Sequence, residues 1–68
     1  MKENFPTRLK ELRLNANLSQ QALAKFIGAT QKAIDFWEKG INEPKISYVI
    51  KLAMHFKVST DYLLGLEN

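Results

Sequence analysis

The chain contains no cysteine and a single histidine, His55. Without thiols neither a disulfide framework nor a thiolate metal site can form, and one imidazole excludes most histidine-based metal sites. No carboxylates are paired at a spacing suited to acid–base work, and no glycine-rich loop is present to cradle a phosphate. These absences argue against an enzyme and leave no cofactor, metal or small-molecule ligand to expect. No apolar run approaches the roughly 20 residues of a membrane span, and no signal-peptide pattern opens the chain. The expected location is cytoplasmic, with no membrane partner. Repeats, low-complexity segments and heptads are missing as well. At 68 residues the chain has room for one domain, 1–68, whose core must hold by helix packing alone, helped by any dimerisation.

What is present is a helical pattern with uneven charge. The net charge is +3, and its placement matters more than its size. Residues 1–40 carry seven Lys or Arg against four acids, whereas 41–68 carry three of each sign. The basic excess therefore lies in the first part of the chain, as a surface facing a polyanion requires. Five helices account for the sequence, at about residues 6–16, 20–27, 31–39, 46–56 and 60–64. Pro6 is tolerated in a first turn, and Leu9, Leu12 and Ala16 give the first helix an apolar stripe, with Leu14 less well placed. Ser19 caps the second helix, although Ala22 stands where a capping-box acid would. Ile46, Val49, Ile50, Ala53 and Phe56 are the inward set of the fourth. Ser59 caps the last and Gly65 ends it.

The most specific stretch is QQALAKFIGATQKAIDFWEK, residues 20–39. It reads as two short helices joined by a tight turn at Gly28, where positive φ costs glycine least. Thr30 then opens the second helix as an N-cap. Leu23, Ala24, Ile27, Ala29, Ile34 and Trp37 form the inner side of the pair, with Ala24 small where the helices approach. A helix-turn-helix of this shape is built to push its second helix into the DNA major groove. Together with RLKELR at 8–13, LSQQALAKFIG at 18–28, I-x-x-W-E-x-G at 34–40 and VSTDYLLG at 58–65, the pattern resembles the phage repressor and Cro-type (Xre-like) DNA-binding domains over essentially the whole chain. The tail STDYLLG is similar to that of repressors from mobile elements of Gram-positive bacteria. The resemblance implies an all-α, compact five-helix, lambda-repressor-like domain that binds operator DNA, usually as a dimer.

With Ile34 and Trp37 inward, about 100° per residue turns Gln31, Lys32, Asp35, Phe36 and Lys39 outward on the third helix. Gln31 matches the family's base-reading glutamine and can pair bidentately with adenine. Lys32 can donate to guanine or phosphate. Asp35 can accept from cytosine or pair internally with Lys32 or Lys39, and the internal pair is favoured. Phe36 stands where the family more often has a polar or basic residue; it packs on thymine methyls or covers the neighbouring loop. Lys39 lies too far along for the groove floor and is assigned to the backbone. Gln20 matches the family's phosphate-binding glutamine, with the N–H groups of Gln20 and Gln21 aiming a helix dipole at the strand. Ser19 either joins them or caps the helix. Asn42 and Lys45 resemble the family's second backbone clamp, with Lys45 replacing its usual serine cap. The resemblance also pairs Arg13 with Glu38, an arrangement that fixes the recognition helix and steers Arg13 toward phosphate.

Val58, Tyr62, Leu63 and Leu66 are the natural homodimer surface, and His55 is expected on the surface or at the dimer edge. The leading reading is a sequence-specific regulator, most simply a repressor, that binds a palindromic double-stranded DNA operator as a homodimer. The alternatives are an antitoxin-like module whose main partner is a protein, or the N-terminal domain of a longer repressor.

Overall fold

The computed structural model describes residues 4–67; the ends of the expected 1–68 domain, with Lys2 and Glu3, lie outside the described residues. Five helices follow in order: α1 (Asn4–Asn15), α2 (Gln20–Ile27), α3 (Gln31–Lys39), α4 (Ile46–Phe56) and α5 (Thr60–Leu63). No strand occurs among the described residues.

The helix starts are set by side-chain oxygens. Ser19 Oγ accepts the Ala22 N–H (3.0 Å), Thr30 Oγ1 that of Ala33 (3.1 Å) and Ser59 Oγ that of Tyr62 (2.9 Å). Lys45 opens α4 without any side-chain cap. The stops share one device, a residue in the left-handed region followed by a hydrogen bond back across the last turn. Asn17 (φ 58°) precedes Leu18 N–H to the Arg13 carbonyl, and Gly28 (φ 75°) precedes Ala29 N–H to the Ala24 carbonyl. At the end of α4 the same position is held by Lys57 (φ 57°), a side chain that this conformation disfavours.

Each helix contributes to one core: Phe5 and Leu9 from α1, Leu23, Ala24 and Ile27 from α2, Ile34 and Trp37 from α3, Val49, Leu52 and Ala53 from α4, and Leu63 from α5. Burying each large side chain stabilises the fold by about 1.5–3 kcal/mol. α3 packs against both α1 and α2, and α4 bridges α2 and α5, so the helix-turn-helix rests on α1 and α4, with α5 packed against both of those.

Three sequence expectations are corrected. α1 begins before Pro6, because Phe5 is a core residue and needs the first turn to reach it. Its stripe runs Phe5, Leu9, Leu12 and Arg13, while Ala16 is exposed in the turn that follows. On α4 the inward set is Val49, Leu52, Ala53 and the half-buried Phe56, whereas Ile46 and Ile50 are 66% and 46% exposed. That helix is apolar on more than one face, so the pattern alone admits two registers and the packing selects the one that buries Leu52. On α5, which ends at Leu63 rather than Leu64, Leu63 is fully buried and belongs to the core, not to a dimer surface.

Candidate nucleic-acid interface

α3 presents Gln31, Lys32 and Lys39 exposed, with Asp35 and Phe36 half-covered. Gln31, Lys32 and Asp35 join Gln20 of α2 around an open depression of about 580 Å³. The N-termini of α2 and α3 supply free donors there. On α2 the Ser19 side chain takes Ala22 N–H and its carbonyl takes Leu23 N–H, leaving those of Gln20 and Gln21 ahead of the helical ladder. On α3 Thr30 does the same for Ala33 and Ile34, leaving Gln31 and Lys32. Two helix starts with unpaired N–H groups form an anion-binding edge.

Beneath this surface runs a polar network. Arg13 Nε donates to Glu38 Oε2 (2.6 Å), its second guanidinium nitrogen to Oε1 (3.0 Å), and the third to the Leu18 carbonyl (2.9 Å). The side chains of Arg13 and Glu38 are 9% and 3% exposed. The Glu38 hydrogen bond raises the Arg13 pKa above its ordinary value, opposed by burial and reinforced by the Glu38 charge. The bidentate pair joins α1 to α3. Arg13 is therefore enclosed and committed to structure, which leaves little of it to meet phosphate directly.

Gln20 is placed differently from its expected role. Its Nε2 donates both to Asp35 Oδ1 and to Glu38 Oε1, each at 3.2 Å. Both partners are carboxylates, which only accept, so the amide nitrogen must point inward. The outward Oε1 has no proton to offer a phosphate. The side chain acts as a brace between α2 and α3. This role depends on inter-helix proximity, and no local sequence signal carries it.

Asp35 is held by Lys39, whose Nζ lies 3.0 Å from Oδ2 one turn away. The hydrogen bonds from Lys39 and then Gln20 hold its carboxyl below the usual range. Asp35 thus forms the internal pair rather than presenting a bare negative charge. Lys32 Nζ lies 5.5 Å from the Phe36 ring, and the Phe36 carbonyl accepts Ile41 N–H (2.9 Å) as the chain leaves α3. Asn42 and Lys45 are exposed at the approach to α4, Gln21 on the first turn of α2.

At the other end of the molecule Arg8 donates to the carbonyls of Tyr62 and Glu67 and lies 4.4 Å over the Tyr62 ring. Tyr62 is thereby half-covered, as is Val58, while Leu66 is 55% exposed. His55 is exposed and stacks on Phe26. No cluster of metal-binding side chains occurs among the described residues.

The family model described as Helix-turn-helix matches residues 9–63, from α1 into α5. The chain belongs to this helix-turn-helix family, of the Xre-like type. Among curated relatives, the SPbeta prophage-derived uncharacterized HTH-type transcriptional regulator YonR of Bacillus subtilis is 40% identical over 60 residues, 88% of this chain and 56% of its own length. An uncharacterized HTH-type transcriptional regulator of Archaeoglobus fulgidus is 36% identical over 55 residues, 81% of this chain and 78% of its own. The chain thus spans little more than half of the Bacillus regulator. Among solved structures it is similar to the P22 c2 repressor in complex with a synthetic operator, with a TM-score of 0.87, 30% identity, and coverage of 93% of this chain and 96% of that one. The relatives of this helix-turn-helix chain are regulators, not enzymes. No helix among its described residues is long and apolar enough to cross a membrane.

Proposed function

We propose that this helix-turn-helix chain is a cytoplasmic transcriptional regulator that reads double-stranded DNA with α3, as a homodimer on a palindromic operator. The observation that carries the reading is the depression between the α2 and α3 N-termini, where the exposed Gln31 and Lys32 side chains stand beside the backbone N–H groups of Gln20, Gln31 and Lys32, ahead of the helical ladders. Donors grouped in this way fit a phosphate strand, and the two side chains beyond them fit base edges. The P22 c2 repressor, solved with a synthetic operator, supplies the precedent at 30% identity.

In this reading Gln31 and Lys32 contact bases, and Phe36 offers its half-exposed ring to thymine methyls. The N–H groups of Gln20 and Gln21, the Ser19 hydroxyl, Lys39, Asn42 and Lys45 contact the backbone. Asp35, Gln20, Glu38 and Arg13 hold α3 in position. Ile46 and Ile50, one turn apart on the helix against which α5 packs, extend the expected dimer surface with Leu66. Val58 and Tyr62 are its half-covered margin. On a palindrome two copies would set their equivalent recognition helices roughly 34 Å apart, one DNA turn.

An amide-shift NMR titration with duplex DNA tests the surface. Shifts concentrated on residues 19–21, 30–39 and 42–45 support it. Shifts centred on α5 and the C-terminal half of α4, with α3 silent, overturn it.

A further inference from the structure

A second surface lies apart from the DNA-facing one, between the C-terminal halves of α2 and α4. There Phe26 is 65% and Met54 73% exposed, flanking a shallow depression of about 620 Å³ that Lys25, Lys51 and His55 also line. A monomer with a small core gains nothing by leaving its exposed phenylalanine and methionine together in water; such paired exposure marks a contact surface. The patch is also braced. The Phe26 ring stacks on His55 with centroids 5.1 Å apart and an interplanar angle of 25°. His55 meets Phe56 edge-on at 5.0 Å, and Phe56 packs on the core. A chain of rings thus holds the exposed phenylalanine in place, which lowers the ordering cost of binding.

Charge decides what fits. Neither α2 nor α4 contains an Asp or Glu, so the two helices that build the depression supply Lys25 and Lys51 with no carboxylate of their own. We infer that this face docks an acidic, amphipathic protein segment, whose apolar side chains cover Phe26 and Met54 and whose carboxylates meet Lys25 and Lys51. Aromatic and methionine surface rimmed by cations is how a groove receives such a helix.

Two other occupants fit less well. Nucleic acid would have to approach the α2 C-terminus, which Ile27 and Gly28 bring to the rim. That end carries the negative pole of the helix, and Phe26 lies about 9 Å along the axis from Gln20. A homotypic contact would set Lys25 and Lys51 against the same lysines, with no carboxylate on either helix to meet them. At about 100° per residue Ile46 and Ile50 stand roughly 100–180° around α4 from Lys51 and His55, with Met54, roughly 40° from Ile50, on the shared edge.

The experiment is a selection from a displayed random peptide library on the 68-residue chain without DNA, so that it reads independently of the operator proposal. Enriched peptides should combine Asp or Glu with Leu, Phe or Trp. The Phe26→Ser/Met54→Ser and Lys25→Gln/Lys51→Gln pairs should each weaken their binding by about tenfold or more, while DNA affinity at near-physiological salt, where distant charges are screened, stays within about twofold. All four positions are exposed, so folding is retained, and circular dichroism verifies it. Absence of any acidic–apolar consensus, or peptides that bind both variants normally, overturns the inference. So does a loss of DNA affinity in the lysine variant, which would make the face a nucleic-acid contact. A dimer lost in the Phe26→Ser/Met54→Ser variant on sedimentation would assign the face to a second copy and overturn it equally.

Discussion

Replacing Glu38 with alanine removes the acceptor of a bidentate pair whose side chains are only 9% and 3% exposed. Arg13 then keeps the Leu18 carbonyl (2.9 Å), and Gln20 keeps Asp35 (3.2 Å), but the guanidinium loses its compensating charge in a place that water barely reaches. Breaking such a pair from one side costs about 3–5 kcal/mol. The surviving Leu18 contact and the edge location put this case near 3. A chain of this size has a total stability of roughly 3–10 kcal/mol, so the variant spends a third or more of it. At about 4–8 °C per kcal/mol the melting temperature falls by about 12–24 °C. The assay is urea unfolding followed through Trp37, which is the chain's one tryptophan, lies on α3 and is 5% exposed. The midpoint should drop with an unchanged slope. Arg13→Met/Glu38→Leu, which removes both charges and refills the space, should recover more than half of the loss. At a temperature where Glu38→Ala remains folded, its DNA affinity should still be about tenfold lower, because α3 is no longer tethered to α1. A destabilisation below about 0.5 kcal/mol, the scale of an exposed pair, with normal DNA binding, would refute the reasoning.

Four further outcomes follow from the same geometry. Gln31→Ala should cost about 1–3 kcal/mol of operator affinity and relax preference at one base pair, read by competition with single-base operator variants. Lys45→Ala should weaken binding to all sequences alike and lower the slope of log affinity against log salt by about 1. Because the Asp35 carboxyl is depressed by Lys39 and Gln20, its contribution is complete above the ordinary Asp value of about 3.9 and is lost as pH falls through the lower folded value; the stability gap to Asp35→Asn should therefore hold constant between about pH 5 and 8 and close below about pH 4. Lys57→Gly, at φ 57°, should raise stability by about 0.5–1 kcal/mol, measured by thermal unfolding.

The helix-turn-helix was legible because its local signals agree. Leu23, Ile27, Ile34 and Trp37 offer one apolar face each, and Ser19, Gly28, Thr30 and Gly40 punctuate the ends. α4 was legible in its bounds, 46–56, but only partly in its inward face, since ISYVIKLAMHF carries apolar residues all round and only contact with α2 and α5 distinguishes Leu52 from Ile50. Phe5 escaped notice for standing ahead of Pro6, where a helix start was expected. The site divides along the same line. The outward direction of Gln31 and Lys32 is arithmetic on the helix period. The inward turn of the Gln20 amide is dictated by Asp35 and Glu38, 15 and 18 residues away, and becomes visible only when α2 and α3 are packed. The Phe26–His55 stack, across α2 and α4, was hidden for the same reason.

The most direct test is selection of bound duplexes from random DNA at near-physiological salt. The account predicts enrichment of a palindrome whose half-site preference changes in Gln31→Ala and Lys32→Ala. Salt-sensitive binding to every sequence alike, with no enriched motif, would contradict it.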